Sequence, residues 1–177
     1  MKRPCFLYCL IISVVFITTG GWSCTKSTDP ILFKIDYDQI ISIPAGLNTL
    51  ETYSFLLKDI PTNYNNLLTT FNIKDSTVTN IKPGSIRLQD ELGILDFSRV
   101  EKVSLLASQP GFVNEKEIGY LETIPITSAN TLQIFPTLVN VKDIFSKNTF
   151  DLRLKIKLRN FLNASTNIRL RFNMNAN

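Results

Sequence analysis

Few residues in this chain have the chemistry to make or break bonds. Histidine is absent from its 177 residues, and the cysteines are Cys5, Cys9 and Cys24. Without an imidazole there is no Ser-His-Asp or Cys-His arrangement, and no G-x-S-x-G elbow or glycine-rich phosphate loop occurs. Three carboxylate pairs are close in sequence: Asp36/Asp38, Asp90/Glu91 and Glu115/Glu117. Glycoside hydrolysis needs two carboxyl groups about 5 to 9.5 Å apart in a cleft, and nothing in the spacing puts these pairs in one. Asp36 and Asp38, two apart, share a strand face and offer at most a weak calcium site, with no full calcium loop around them. The pairs read as solvated surface acids. No cofactor and no metal are expected, and the chain reads as non-catalytic.

The second group is basic. Arg153, Lys155, Lys157 and Arg159 recur at every second position, and Arg169 and Arg171 repeat the pattern. Such a stripe suits an anionic partner, namely a phosphorylated lipid head group, an acidic glycan or an acidic protein surface. The plainer reading is a solvated sheet face whose charge is offset by carboxylates of a neighbouring strand, and Asp36 and Asp38 are suited to supply them. Sugar stacking has a poor supply of rings. The only tryptophan is Trp22, and of Tyr37, Tyr53, Tyr64 and Tyr120 the first and third read as core.

The N-terminus reads as an address. Lys2 and Arg3 precede an apolar run from Phe6 to Ile17, broken only by Ser13, and Thr18, Thr19, Gly20 and Gly21 follow. This is the order of a secretory signal peptide, residues 1–23. The apolar core, about 12 residues, falls short of the roughly 20 a membrane span needs, although the longer uncharged stretch from Pro4 to Ser23 leaves an uncleaved anchor as the alternative. The segment Gly21-Trp22-Ser23-Cys24 resembles the lipobox of bacterial lipoproteins, with Gly21 where leucine is usual and a bulky Trp22. The resemblance implies a diacylglycerol thioether and an N-acyl chain on Cys24. Residues 24–30 then form a polar tether of at most about 25 Å. As a whole the chain resembles small bacterial envelope lipoproteins, which implies attachment to the outer membrane and a lipid bilayer as first partner. Cys5 and Cys9 leave with the signal, so the mature chain has no disulfide. The 19 basic and 15 acidic residues give +4, and loss of Lys2 and Arg3 leaves 17 against 15, or +2, a weak case for nucleic acid.

The elements behind these residues are mostly strands. Ile31, Phe33, Ile35 and Tyr37 alternate with Leu32, Lys34, Asp36 and Asp38, and the run continues through Ile43 to a turn at Pro44-Ala45-Gly46. Tyr53, Phe55 and Leu57 mark a second strand. Tyr64, Leu67, Leu68 and Phe71 share a helical face, with Thr62 or Asn63 as cap. Short strands are expected over 77–81, 85–88, 99–107, 118–124 and 131–135, with Pro83-Gly84 and Pro110-Gly111 as breaks, and Val141, Ile144 and Phe145 suit one helical turn. Phe150 to Arg159 and Asn167 to Met174 alternate strictly and read as one antiparallel hairpin, Leu158 opposite Ile168. Seven to nine short strands with one or two short helices suggest an all-β, two-layer antiparallel sandwich, immunoglobulin-like or related, over residues 31–177. The expected role is a membrane-anchored binding or assembly subunit of an envelope complex, with a glycan-binding, adhesive or pilin-like surface module as the alternative.

Overall fold

Strand β1 (Phe33–Ile43) shows how the body is built: Phe33, Ile35, Tyr37, Ile41 and Ile43 are buried while Lys34, Asp36, Asp38 and Ile40 face outward. The period of two supplies one apolar face, and that face needs a partner layer. The computed structural model describes residues 30–127 and 129–177; the signal segment and Cys24 lie outside them. Ile31 falls just outside β1 and is 58% exposed, so the buried alternation starts two residues later than its pattern suggests.

Seven more strands follow: β2 (Thr52–Pro61), β3 (Ile81–Asp90), β4 (Val100–Gln109), β5 (Val113–Leu121), β6 (Thr131–Pro136), β7 (Thr149–Leu158) and β8 (Thr166–Ala176). All pairings are antiparallel, in the order β1-β8-β3-β6-β5-β4-β7-β2. The all-β expectation thus holds, but the strands are not divided into two separate sheets. They form one eight-stranded sheet, nearly closed into a barrel, with β1 and β2 as its two edges.

The halves meet at a thin join. β5 and β6 pair only through Gly119↔Pro136 and Tyr120↔Phe135. A Cβ on Gly119 would collide with Ile86 Cδ1 of β3, so glycine lets β5 cross this close to the neighbouring strand. Opposite this join, side chains bridge the open edges. The Tyr37 hydroxyl donates to the Thr62 carbonyl at 3.0 Å. Helix α1 (Tyr64–Thr70) packs Tyr64 against Phe33, and Phe71 stacks on the same ring. Helix α2 (Lys142–Phe145) delivers Phe145 to Phe150 and Tyr37, which also contacts Phe172 at 4.7 Å between ring centroids. Asn63 takes the cap position of α1 in a left-handed conformation without a side-chain cap bond; Thr62 Oγ1 accepts the Tyr64 N–H at 3.4 Å.

Three expectations need correction. Residues 77–80 are not a strand: Asp75–Thr77 make a single 3-10 turn, and the strand begins only at Ile81. Pro83-Gly84 does not separate two strands but forms a bulge inside β3, between the pairs Pro83↔Met174 and Ile86↔Phe172. β3 pairs with β6 only from Ile86 onward, so Pro83 has no ladder donor to lose on that side. The hairpin of β7 and β8 does not exist either. β7 lies between β2 and β4, and β8 between β1 and β3; Leu158 opposes Val100 and Ile168 opposes Ile41. Alternation fixes which face is buried, not which strand lies alongside.

The two core tyrosines make stability sensitive to alkali. Burial pushes the Tyr37 phenol well above its ordinary value. Burial, then the hydrogen bond to Asp75 and its charge, does the same to Tyr64. Raised groups contribute stability in full below the unfolded phenol value of about 10 and lose it as pH climbs beyond that. The urea midpoint is therefore expected to hold to about pH 9 and to fall above pH 10, and less steeply in Tyr37→Phe. Equal alkaline slopes for the two proteins in a pH series of urea melts would contradict this.

Candidate functional site

The six basic residues fall in two groups on different walls. On β7, Arg153 Nε lies 2.7 Å from Glu115, and its guanidinium sits 4.8 Å from the centre of the Phe112 ring. Lys157 pairs with Glu101 at 3.1 Å. Lys155 has Ser54 and Ser104 as its cross-strand neighbours. Arg159, just past β7, donates to the carbonyls of Ser98 and Ile124 at 2.7 and 3.0 Å and ties loops together. On β8, Arg171 Nε donates to Asp38 at 3.1 Å, and Arg169 reaches both Asp38 and Glu91. Asp38 of β1 thus supplies the compensating carboxylate. Partly exposed pairs of this kind contribute little stability each, but they neutralise most of the stripe.

The carboxylate pairs are split as well. Asp90 is buried, accepting from the Leu95 N–H at 3.0 Å and the Thr166 hydroxyl at 2.5 Å, while Glu91 faces Arg169. Glu115 holds Arg153, and Glu117 accepts from Ser104. Among the described residues, no group of three or more Cys, Asp or Glu side chains could hold a metal ion.

The sheet face β1-β8-β3-β6 carries a polar groove of about 540 Å³, lined by Lys34, Asp36, Asp38, Ser85, Arg87, Gln133, Arg171 and Asn173. Arg87 and Gln133 of this groove were not legible as a site in the sequence, because single polar residues on a short strand form no pattern.

The end of the barrel at the C-terminal edge of β1 has a different chemistry. Four loops meet there: residues 44–51, 91–99, 122–127 with 129–130, and 159–165. Each sends apolar side chains inward: Leu47, Leu95 with Phe97, Ile124 and Leu162. Each also holds apolar surface outward: Leu50 is 87% exposed, Leu92 61% with Ile94 beside it, Ile126 78% and Phe161 53%. The loops are laced together. Leu162 exchanges backbone hydrogen bonds with Gly46 and Leu47, Arg159 N–H donates to the Arg99 carbonyl, and Phe97 N–H to that of Ala129. Asp96 Oδ1 accepts from the Ser98 and Ala129 amides.

No protein-family model and no curated protein matches this chain.

The loop end therefore stands on its own geometry. Its loops are joined to one another through Gly46, Leu47 and Leu162, Arg99 and Arg159, and Phe97 and Ala129. The chain enters at the far end, where Leu32 N–H donates to the Ala176 carbonyl at 2.8 Å, so the tips lie at the end of the barrel opposite the start of β1. They were not legible in the sequence, since isolated apolar residues in short loops make no periodicity.

Proposed function

We propose that this chain is a non-catalytic binding or assembly subunit of the cell envelope, held to the outer membrane through acylated Cys24, and that its loop end docks another envelope protein. The observation that carries this reading is the set of four outward apolar tips, Leu50, Leu92, Ile126 and Phe161, on loops joined to one another by backbone hydrogen bonds. A preordered apolar surface loses little conformational entropy on binding, and exposed apolar clusters rimmed by polar residues mark interaction sites. The described chain enters at the opposite end of the barrel, at Leu32, so on this reading the loop end faces away from the membrane that holds the anchor. Gentle detergent extraction of tagged protein tests it. Wild type is expected to bring down a stoichiometric partner, and the Leu92→Asp/Ile126→Asp protein to lose it at an unchanged melting temperature. Recovery of the wild type as a lone monomer would sink the reading.

A glycan-binding, adhesive or pilin-like surface module is the second reading. Tyr120 and Phe135, opposed across the β5–β6 join and 41% and 59% exposed, favour it as a small aromatic platform. The finer layering belongs to the same proposal: Phe150 of β7 meets Phe172 of β8 edge-on at 6.5 Å, which supports two halves packed as layers of a sandwich.

A further inference from the structure

The outward residues of β1, β8, β3 and β6 line up in rows across the sheet. One row reads Asp38, Arg171, Arg87, Gln133, each directly opposite the next. Two guanidinium groups therefore sit side by side on neighbouring strands, an arrangement that is destabilising unless anions offset it. Asp38 offsets Arg171 and is shared with Arg169. Among the described residues Arg87 has no ion-pair partner.

The next row has been hollowed out. The β3 bulge sets Gly84 and Ser85 against Asn173, which is only 6% exposed although it lies on the outward face. A Cβ on Gly84 would overlap Asn173 Oδ1, so the glycine is what allows this side chain to lie flat as a floor. Asn173 Nδ2 donates to Ser85 Oγ at 2.6 Å, which leaves the serine proton free to donate, and Asn173 Oδ1 has no hydrogen-bond partner. Lys34 and Asp36 close the near wall. Bulges of this kind re-aim side chains at binding sites.

We infer that this groove binds a hydroxyl-rich ligand bearing an oxyanion, a sugar acid, with the anionic group between Arg87 and Arg171. The guanidinium pair takes the carboxylate in charge-assisted hydrogen bonds. Ser85 and Gln133 donate to sugar oxygens, and Asp36 accepts from hydroxyl groups. The inference gives the glycan reading a site separate from Tyr120 and Phe135, and it does not depend on the loop end.

Amide-shift titration of the purified protein with galacturonate trisaccharide tests it, with the neutral maltotriose and inorganic phosphate as companion probes. The expected result is saturable binding of the trisaccharide, shifts centred on Ser85, Arg87 and Asn173, and weakening as salt is raised. Arg87→Gln is expected to weaken binding at least tenfold. Gly84→Ala, which fills the hollow, should act in the same direction, and thermal melts check that both fold. Tyr120→Ala should leave binding unchanged. No saturation with the trisaccharide, or inorganic phosphate or maltotriose binding equally well, would overturn the inference. A loss on Tyr120→Ala with none on Arg87→Gln would overturn this site while leaving the glycan reading standing.

Discussion

Leu154→Asp leaves no folded protein. Leu154 is fully buried in the middle of β7, an interior strand, opposite Phe55 on β2 and Leu105 on β4. Removing its side chain from the core forfeits about 1.5–3 kcal/mol of burial, and placing an unpaired carboxylate there costs several kcal/mol more. A domain of this kind holds roughly 5–15 kcal/mol in total. The expected outcome is insoluble protein with no cooperative melt. Leu154→Ala, which makes a cavity without a charge, should retain the fold and lose about 2–5 kcal/mol in urea melts. Lys155→Asp, one residue along and facing outward, should melt within about 1 kcal/mol of wild type, as surface changes do. A soluble, cooperatively melting Leu154→Asp protein would mean that the inner and outer faces of β7 are reversed.

The second large effect concerns the anchor. With Cys24→Ser the protein is expected to leave the membrane pellet entirely and appear in the soluble fraction. One acyl chain gives only marginal attachment, whereas the two or more implied by the lipobox resemblance hold firmly, since each buried methylene contributes about 0.8 kcal/mol. The reading places the whole attachment at the N-terminal segment. Membrane retention of Cys24→Ser with an uncut N-terminus would support the uncleaved anchor instead.

How the chain lies along its neighbours was harder to read than which way its side chains face. Alternation marked the buried rows of β1, β7 and β8, apart from exposed Ile31 and the buried polar residues Asp151 and Asn173, and the helical spacing of Tyr64, Leu67 and Leu68 marked α1. The same alternation is satisfied by a hairpin or by two strands on different walls of a barrel, so β7 and β8 were paired wrongly. Their separation resolves an apparent conflict: Lys157 would have faced Arg169 in the hairpin, whereas each now has a carboxylate, Glu101 and Glu91. Pro83-Gly84 looked like punctuation because proline and glycine usually end strands. Inside a bulge they shape the floor under Asn173 instead. Compensation of the β8 half of the basic stripe by Asp38 was legible, because Asp38 alternates outward on the first strand, whereas Asp36, equally expected to compensate, forms no ion pair among the described residues. Arg87 was not, because its significance lies in facing Arg171 across β8–β3, a register that no local pattern encodes.

The central claim, a subunit that docks through the loop end while held from the other, is tested most directly by photo-crosslinking in intact cells. A photoreactive residue is placed at Leu92 or Ile126 on the loop end, and at Leu138, which is 88% exposed on the tether end. The expected result is one shared protein adduct from both loop-end positions and none from Leu138. Adducts from Leu138 alone, or from none of the three in protein that is folded and membrane-bound, would contradict it.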